Sequence, residues 1–525
     1  MDGEVPITKN EPAAPTTKKR APETYWLTRF VILRLLGAVY AVAFLAAARQ
    51  IVPLIGTDGL TPLNLFLDRV TSAPGSPFAG FLRLPSIFWI WRGDEFLQTT
   101  AWVGFALSCL VVAGYANAIL MTILWALYMS FVHLGQDWYG YGWEIQLLET
   151  GFLAIFLCPL LDGRPFPKRE PPRVIVWLFR WLIFRLMLGA GLIKLRGDAV
   201  WRNWTALYYH FETQPIPGPF SRWFHFLPRA ALRFGVGFNW VAELIAPLFA
   251  FGPGLARRIA GVVMILFQIT LIFSGNLSFL NWLTIVPALA CLDDAFWSKL
   301  LPRALVQRAN AAHANARPCN AMQRVAWGVA ALVALLSLQP VLNMIRPGQI
   351  MNTSFDPLDL VNTYGAFGSV GQERLNVIFE GTDAATPDAH TEWKPYPYKA
   401  LPVALDKRPP QIAPYQPRLD WQMWFASMAD VNEYPWTLNF VWKLLHNDAG
   451  ALSLLGGNPF PNKPPRYIRA VLYRYAFARP GNPQHAWWTR QALGTWLPPM
   501  SADDPQLLGA LRQEGWLSAQ DTEKR

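Results

Sequence analysis

Apolar positions in this chain fall in long unbroken runs up to about residue 345, and in shorter, mixed patterns beyond it. About 20 apolar residues carry a helix across a bilayer. On that measure the runs predict nine spans, near 30–48, 98–114, 117–134, 144–161, 174–195, 236–252, 257–274, 277–292 and 323–342. Phe78–Trp91 is aromatic and apolar but broken by Pro85, and reads as an interfacial or re-entrant piece. After residue 345 the periods change. Leu375–Gly381 alternates, and Trp393–Tyr398 and Tyr467–Ala478 are rich in aromatic and branched residues, so all three predict strands. Asp420–Met428 and Thr437–His446 carry apolar residues at helical spacing, and Pro402–Pro417 is a Pro-rich connector. The expected fold is a multi-spanning α-helical membrane domain of about nine helices, followed by a soluble α+β domain with a small β-sheet. Its divisions are a tail at 1–29, a helical domain at 30–344 with outer loops 49–97 and 196–235, and a soluble domain at 345–525.

Charge adds an orientation. Lys18, Lys19 and Arg20, then Arg164, Lys168, Arg169 and Arg173, then Arg257 and Arg258, then Lys299, Arg303, Arg308 and Arg317 fall on one side if there are nine spans. Basic loops stay in the cytoplasm. A cytoplasmic N-terminus and a periplasmic or lumenal soluble domain follow. The net charge of +11 is thereby explained without nucleic acid. Composition agrees with a membrane protein: 53% hydrophobic, 15% charged, and 25 tryptophans, a residue favoured at membrane interfaces. Cys109, Cys158, Cys291 and Cys319 show no C-x-x-C spacing, which argues against a disulfide framework. The first apolar run lacks a cleavage pattern and reads as an uncleaved span.

Ionisable residues inside spans are the sharpest functional pointers in such a chain. With this topology Glu149 in the fourth span, Lys194 at the end of the fifth and Glu243 in the sixth lie at similar depth in the outer half of the membrane. Gln146, Asn276 and Asn281 add polar groups near that level, Glu144 begins the fourth span, and Arg185 lies deeper and needs a partner. One reading is a polar cavity open to the outside, with Lys194 as base or anion anchor. The other is a structural ion pair, or a lysine that snorkels from a helix end. The seven histidines show no metal spacing, and no nucleophile or phosphate-loop motif is present; His133 lies near the outer end of the third span. Trp201–Pro228, with Trp201, Trp204, Tyr208 and Tyr209, either contacts lipid or an apolar client, or packs as an aromatic belt.

Several separated blocks resemble the lipase maturation factor family over nearly the whole length. They are Tyr141–Glu144 with Leu147–Leu153; Gly191–Leu195 with Trp201, Trp204 and Tyr208–Pro217; Asn276–Trp282; Asn362–Gly365 with Phe367 and Gly368; Ala413–Asp420; and Pro464–Tyr467. The resemblance implies a secretory-pathway membrane protein that helps secreted proteins such as lipases reach a folded, active assembly, without being an enzyme. Its implied partners are membrane lipid and a secreted client. Candidate client-binding residues are Trp201, Trp204, Tyr208, Tyr209, Asn362, Tyr364, Gly365, Phe367, Gly368, Arg374, Arg418 and Arg466. Animal members reside in the endoplasmic reticulum. The ending Thr522–Arg525 holds no retention signal, and the chain is shorter than typical animal members, so a bacterial inner membrane is expected. The membrane part is also similar to vitamin K-dependent gamma-carboxylase, whose base is a lysine in an Ala-Gly-x-x-Lys-Leu context. Ala190, Gly191, Lys194 and Leu195 match it, with one extra pair of residues before Trp201. That implies an alternative: an integral-membrane enzyme with Lys194 as base and a lipid- or quinone-like cofactor. No other cofactor and no metal is expected.

Overall fold

The computed structural model describes residues 23–72 and 77–517. Lys18, Lys19, Arg20 and the ending Thr522–Arg525, on which two of the expectations rest, lie outside the described residues. The apolar runs form helices where expected: α1 (Trp26–Ile55), α2 (Asp94–Ala113), α3 (Ala118–Leu134), α4 (Gly142–Leu157) and α5 (Arg173–Arg196). Next come α6 (Arg229–Trp240), α7 (Gly254–Ser274), α8 (Leu280–Ala288) and α9 (Asn320–Ile345, with one turn residue at Ser337).

Among the described residues five of these, α1, α2, α5, α7 and α9, are long and apolar enough to cross a membrane. Length and apolarity therefore support five crossings, where the runs predict nine. Three of the others, α4, α6 and α8, are short for identifiable reasons. α4 stops at Cys158, ahead of Pro159, a residue that disfavours helix before it. α6 passes into a π-turn, Val241–Ile245, and a 3-10 turn, Ala246–Phe249, around Pro247. α8 contains Pro287. α4 and α8 are also buried on most sides, so they pack inside the bundle. α1 and α2 approach closely because glycines face the partner helix. A Cβ at Gly37 would meet Val111, and one at Gly104 would run into the Phe44 ring. Phe78–Trp91 is a short helix, Pro77–Arg83, and a 3-10 turn, Ile87–Trp89.

The C-terminal region holds a two-stranded ribbon, β1 (Thr353–Ser354) with β2 (Asn362–Thr363), and a four-stranded antiparallel sheet. The sheet is ordered β4-β3-β5-β6, from β3 (Arg374–Thr382), β4 (Lys394–Pro395), β5 (Tyr467–Phe477) and β6 (Trp488–Met500). β3 and β5 pair from Arg374 opposite Tyr475 to Thr382 opposite Tyr467. The strand expected at Trp393–Tyr398 shrinks to two residues because Pro395 and Pro397 cannot donate to a ladder. β6 has no counterpart in the pattern reading. Most of its residues are exposed, so no buried face imposes alternation. The longer helices of the region are α10 (Arg418–Ala426), α11 (Trp436–Leu445) and α12 (Pro505–Gln513).

This region is packed onto one end of the bundle. Gln50, near the C-terminal end of α1, donates to Tyr415 Oη (2.9 Å) and Gln416 O (2.8 Å) and accepts from Arg418 N (2.9 Å). At the other end of α1, Arg29 donates to Arg169 O (2.9 Å), and Arg169 donates to Arg317 O (3.1 Å). A 30-residue helix is about 45 Å long. The described basic loops and the C-terminal region therefore sit at opposite ends of the molecule.

Candidate functional site

A chamber of about 840 Å³ opens between α4, α5, α6, α7 and α8, roofed by the segment Trp201–Pro215 and by the C-terminal region. Its lining is mostly apolar, with one ionic spot. Lys194 Nζ lies 2.5 Å from Glu243 Oε1 and 3.2 Å from Asn239 Oδ1, and Asn239 Nδ2 donates to Glu243 Oε2 at 3.1 Å. The Trp201 ring lies 5.2 Å from Nζ. All four residues are buried.

Local sequence explains the meeting. Asn239 and Glu243 are four apart, the spacing that shares a helix face. Gly191 faces α6: a Cβ there would lie 2.5 Å from Leu244 Cδ2 and 3.1 Å from Glu243 Cβ. Glycine lets the helices close, and Lys194, three residues on, reaches the carboxylate. Glu243 sits in the π-turn, a feature found often at functional sites.

Further round the wall, Gln146 Nε2 donates to Thr284 Oγ1 (3.1 Å) and Asn281 Nδ2 to Gln268 Oε1 (2.8 Å). Gln146 Oε1 is buried with no partner among the described residues. His210 faces the chamber from the roof, its ring edge-on to Phe367 at 4.7 Å. Burial, and then the Lys194 ammonium, push His210 down to about 4, so it is neutral at pH 7.

Glu149 and Glu144, both buried in α4, have cations of their own. Glu149 pairs with Arg185, accepts from Asn362 N (3.0 Å) and Tyr364 Oη (2.7 Å), and does not line the chamber. Arg185 Nη1 also donates to Asn362 O (2.7 Å), so the pair clasps β2. Glu144 pairs with Arg418 at 3.0 Å and accepts from Tyr128 and Trp143. Of the three charges expected at one level, Lys194 and Glu243 meet, and Glu149 is turned to Arg185. Asn276 stands apart as a staple: it donates to Pro217 O and Pro410 O, and accepts from Ile412 N and Ala413 N. His133, near the outer end of the third span, instead contacts Pro85 O (2.8 Å) and Asp359 Oδ2 (3.1 Å).

Two family models match the chain: the lipase maturation factor transmembrane domain over residues 27–299, and the lipase maturation factor C-terminal domain over residues 360–498. The chain is 46% identical to mouse Lipase maturation factor 1 over 509 residues, covering 92% of this chain and 88% of the relative. Against the human protein the identity is 44%, covering 96% and 94%. Chicken Lipase maturation factor 2 is 29% identical, with 93% and 83% covered. The chain belongs to the lipase maturation factor family. No solved structure matches it.

This family member is an integral membrane protein, and its chamber joins its two matched domains. Gly365, Phe367 and Gly368 close the chamber from the C-terminal side, where Trp201 Nε1 donates to Phe367 O (2.7 Å) and Asp198 N to Gly368 O (2.9 Å). Phe367 takes φ +55°, a left-handed conformation uncommon outside glycine, which presents its carbonyl to that indole.

Among the residues expected to touch a client, Asn362, Tyr364, Arg374 and Arg418 are each at most 5% exposed. Arg374 donates to the carbonyls of Glu212, Gln214 and Pro215 (2.6–3.1 Å), and burial lowers it to about 9. These four hold the C-terminal domain on the bundle and are inaccessible to a client; the reason is burial against carbonyls and carboxylates far away in sequence. Trp204 and Arg466 are exposed, and Tyr208 and Tyr209 half-buried. Asn239, His210, Gln268 and Thr284 line the chamber without having been anticipated. The signal for Asn239 was its i, i+4 relation to Glu243; the other three needed the fold.

Proposed function

We propose that the chain assists the folding, assembly or maturation of a secreted lipase-like client, acting by binding and not by catalysis. The observation that carries this is the end-to-end match to proteins named as lipase maturation factors, across both domains. The client's seat is the aromatic outer surface beside the chamber, where the lining residues Phe234 (78% exposed) and Leu227, and the neighbouring Trp204 and Trp223, are exposed. The C-terminal domain faces the non-cytoplasmic side, because the basic loops lie at the opposite end. The open position Gly509 on α12 allows this to be checked: a Gly509→Cys thiol should react with an impermeant maleimide in intact spheroplasts.

Lys194 is a positioning residue on this reading. A base needs a free nitrogen lone pair, and Nζ is instead committed as a donor to Glu243 and Asn239. The chamber takes a lipid-like occupant whose hydroxyl or amide donates to the unpartnered Gln146 Oε1.

The test is co-expression of a dimeric secreted lipase with and without this protein, in cells lacking other maturation factors. Secreted lipase activity per unit lipase mass should rise with the protein and fall back when Trp204, Trp223 and Phe234 are changed to serine. Equal specific activity with and without the protein would overturn the proposal.

A further inference from the structure

At the end of the bundle away from the C-terminal domain, a groove of about 920 Å³ runs between α3, the end of α4 and the start of α9. Its walls and its rim differ in chemistry. The walls are apolar and exposed: Ile119 (45%), Ile123 (42%), Leu160 (66%) and Val325 (53%). In a membrane protein such surface faces hydrocarbon. The rim carries Arg164, Lys168, Arg169 and Arg317, against a single acid, Asp162.

The rim is assembled by the backbone. Arg317 N donates to Lys168 O (2.9 Å), and Arg169 Nη1 donates to Arg317 O (3.1 Å) and Pro318 O (3.0 Å). These bonds hold two loops, nearly 150 residues apart in sequence, so that their cations converge. Arg164 neutralises Asp162 through Nε (2.8 Å) and Nη2 (2.7 Å). Lys168 and Arg317 are exposed, and their side chains have no hydrogen-bond or ion-pair partner among the described residues. Two uncommitted cations and part of a third guanidinium thus face one place, with no carboxylate left unpaired there.

We propose that this groove binds an anionic glycerophospholipid, its phosphate held by Lys168, Arg317 and the remaining N–H groups of Arg169, and its acyl chains laid along Ile119, Ile123 and Val325. Charge complementarity selects the head group, and the apolar walls require chains beneath it. A free phosphate would satisfy the rim and leave the walls unused. The site is also at the correct height: the cations lie at helix ends, where head groups sit, and the walls run from them into the bilayer.

The full chain in detergent micelles, titrated with phosphatidylglycerol and read by native mass spectrometry, tests this. Each basic residue near anionic lipid is worth roughly a fivefold change in binding. Phosphatidylglycerol should bind well above phosphatidylcholine, and the Lys168→Gln, Arg317→Gln pair should weaken it about 25-fold with no change in melting, since both side chains are exposed. Val325→Trp, which fills the wall, should weaken it with the rim intact. Lys299→Gln with Arg303→Gln, outside the groove, should have no effect. Equal binding of the two lipids, equal binding by the Lys168/Arg317 variant, or displacement of the lipid by millimolar inorganic phosphate would each overturn the proposal, the last by showing a simple anion site.

Discussion

Arg418 Nη1 lies 3.0 Å from Glu144 Oε1, and neither side chain is reached by solvent. One residue begins α10 of the C-terminal domain and the other the first turn of α4. The guanidinium also lies over the Tyr139 ring at 3.5 Å and donates to Trp138 O at 2.5 Å. This fully buried ion pair is one of the contacts that hold the C-terminal domain on the helical bundle.

Removing one partner of such a pair strands the other charge in a low-dielectric interior. Arg418→Met should cost about 3–5 kcal/mol. Glu144→Leu combined with Arg418→Met should cost less than the sum of the two single changes, since no charge is then left alone. Thermal unfolding in detergent, followed by tryptophan fluorescence, measures both. Additive losses would show that the pair does not couple the domains.

The same logic separates structure from chemistry at Lys194. Lys194→Met should destabilise by several kcal/mol through the stranded Glu243, about as much as other broken buried pairs. Lys194→Met with Glu243→Leu should recover most of the stability and retain the proposed lipase-maturation activity. A stable double variant with no maturation activity would return Lys194 to a chemical role.

Asn362 is a latch. Its amide nitrogen lies within hydrogen-bond reach of Asp359 O (2.9 Å), Ile145 O (3.2 Å) and Tyr364 Oη (3.2 Å), which share its two N–H groups, and its backbone N–H donates to Glu149. Asn362→Ala should cost about 1–3 kcal/mol for the buried acceptors left unmet. Limited proteolysis should then cut faster between residues 346 and 361, the segment ahead of β2.

Acid should weaken the protein through His210. Its folded pKa is about 4 against an ordinary 6.5, so between those values only the unfolded chain binds the proton. Stability is fully present above pH 6.5 and is lost as pH falls through 4, by roughly 3 kcal/mol. Asp420 acts in the opposite sense: burial raises it from 3.8 to about 6, so acidification within that window favours the folded state. His210→Phe should therefore lessen acid destabilisation relative to the parent, both proteins retaining Asp420. An unchanged difference in melting temperature between pH 7 and pH 4.5 would rule this out.

The blocks that carry family resemblance turn out to contain many of the residues joining the two domains. Glu144, Glu149, Asn276, Asn362, Phe367, Gly368 and Arg418 are all in those blocks, and all make contacts across large separations. They stand out in the sequence as unusual polar or small residues in apolar company. Their role as contacts between elements is invisible there, which is why Asn362, Tyr364, Arg374 and Arg418 read as surface candidates and are found buried. β6 was hidden for the converse reason: a strand exposed on most of its length leaves no alternation to read.

By itself the sequence determined where the main apolar helices lie, that the chain is a membrane protein, and that strands follow the helical part. Those properties are local, set by run length and period. It also marked Glu144, Glu149, Glu243, Arg185 and Lys194 as charges in or beside apolar runs, where burying a lone charge is costly; Arg418 joined them only in the fold. Which acid met which base was decided only by the tertiary structure. Three acids and three cations allow several matchings, and desolvation demands a partner without naming one. The choice fell to helix packing: Gly191 lets α6 approach Lys194, β2 crosses beside Glu149 and Arg185, and α10 delivers Arg418 to Glu144.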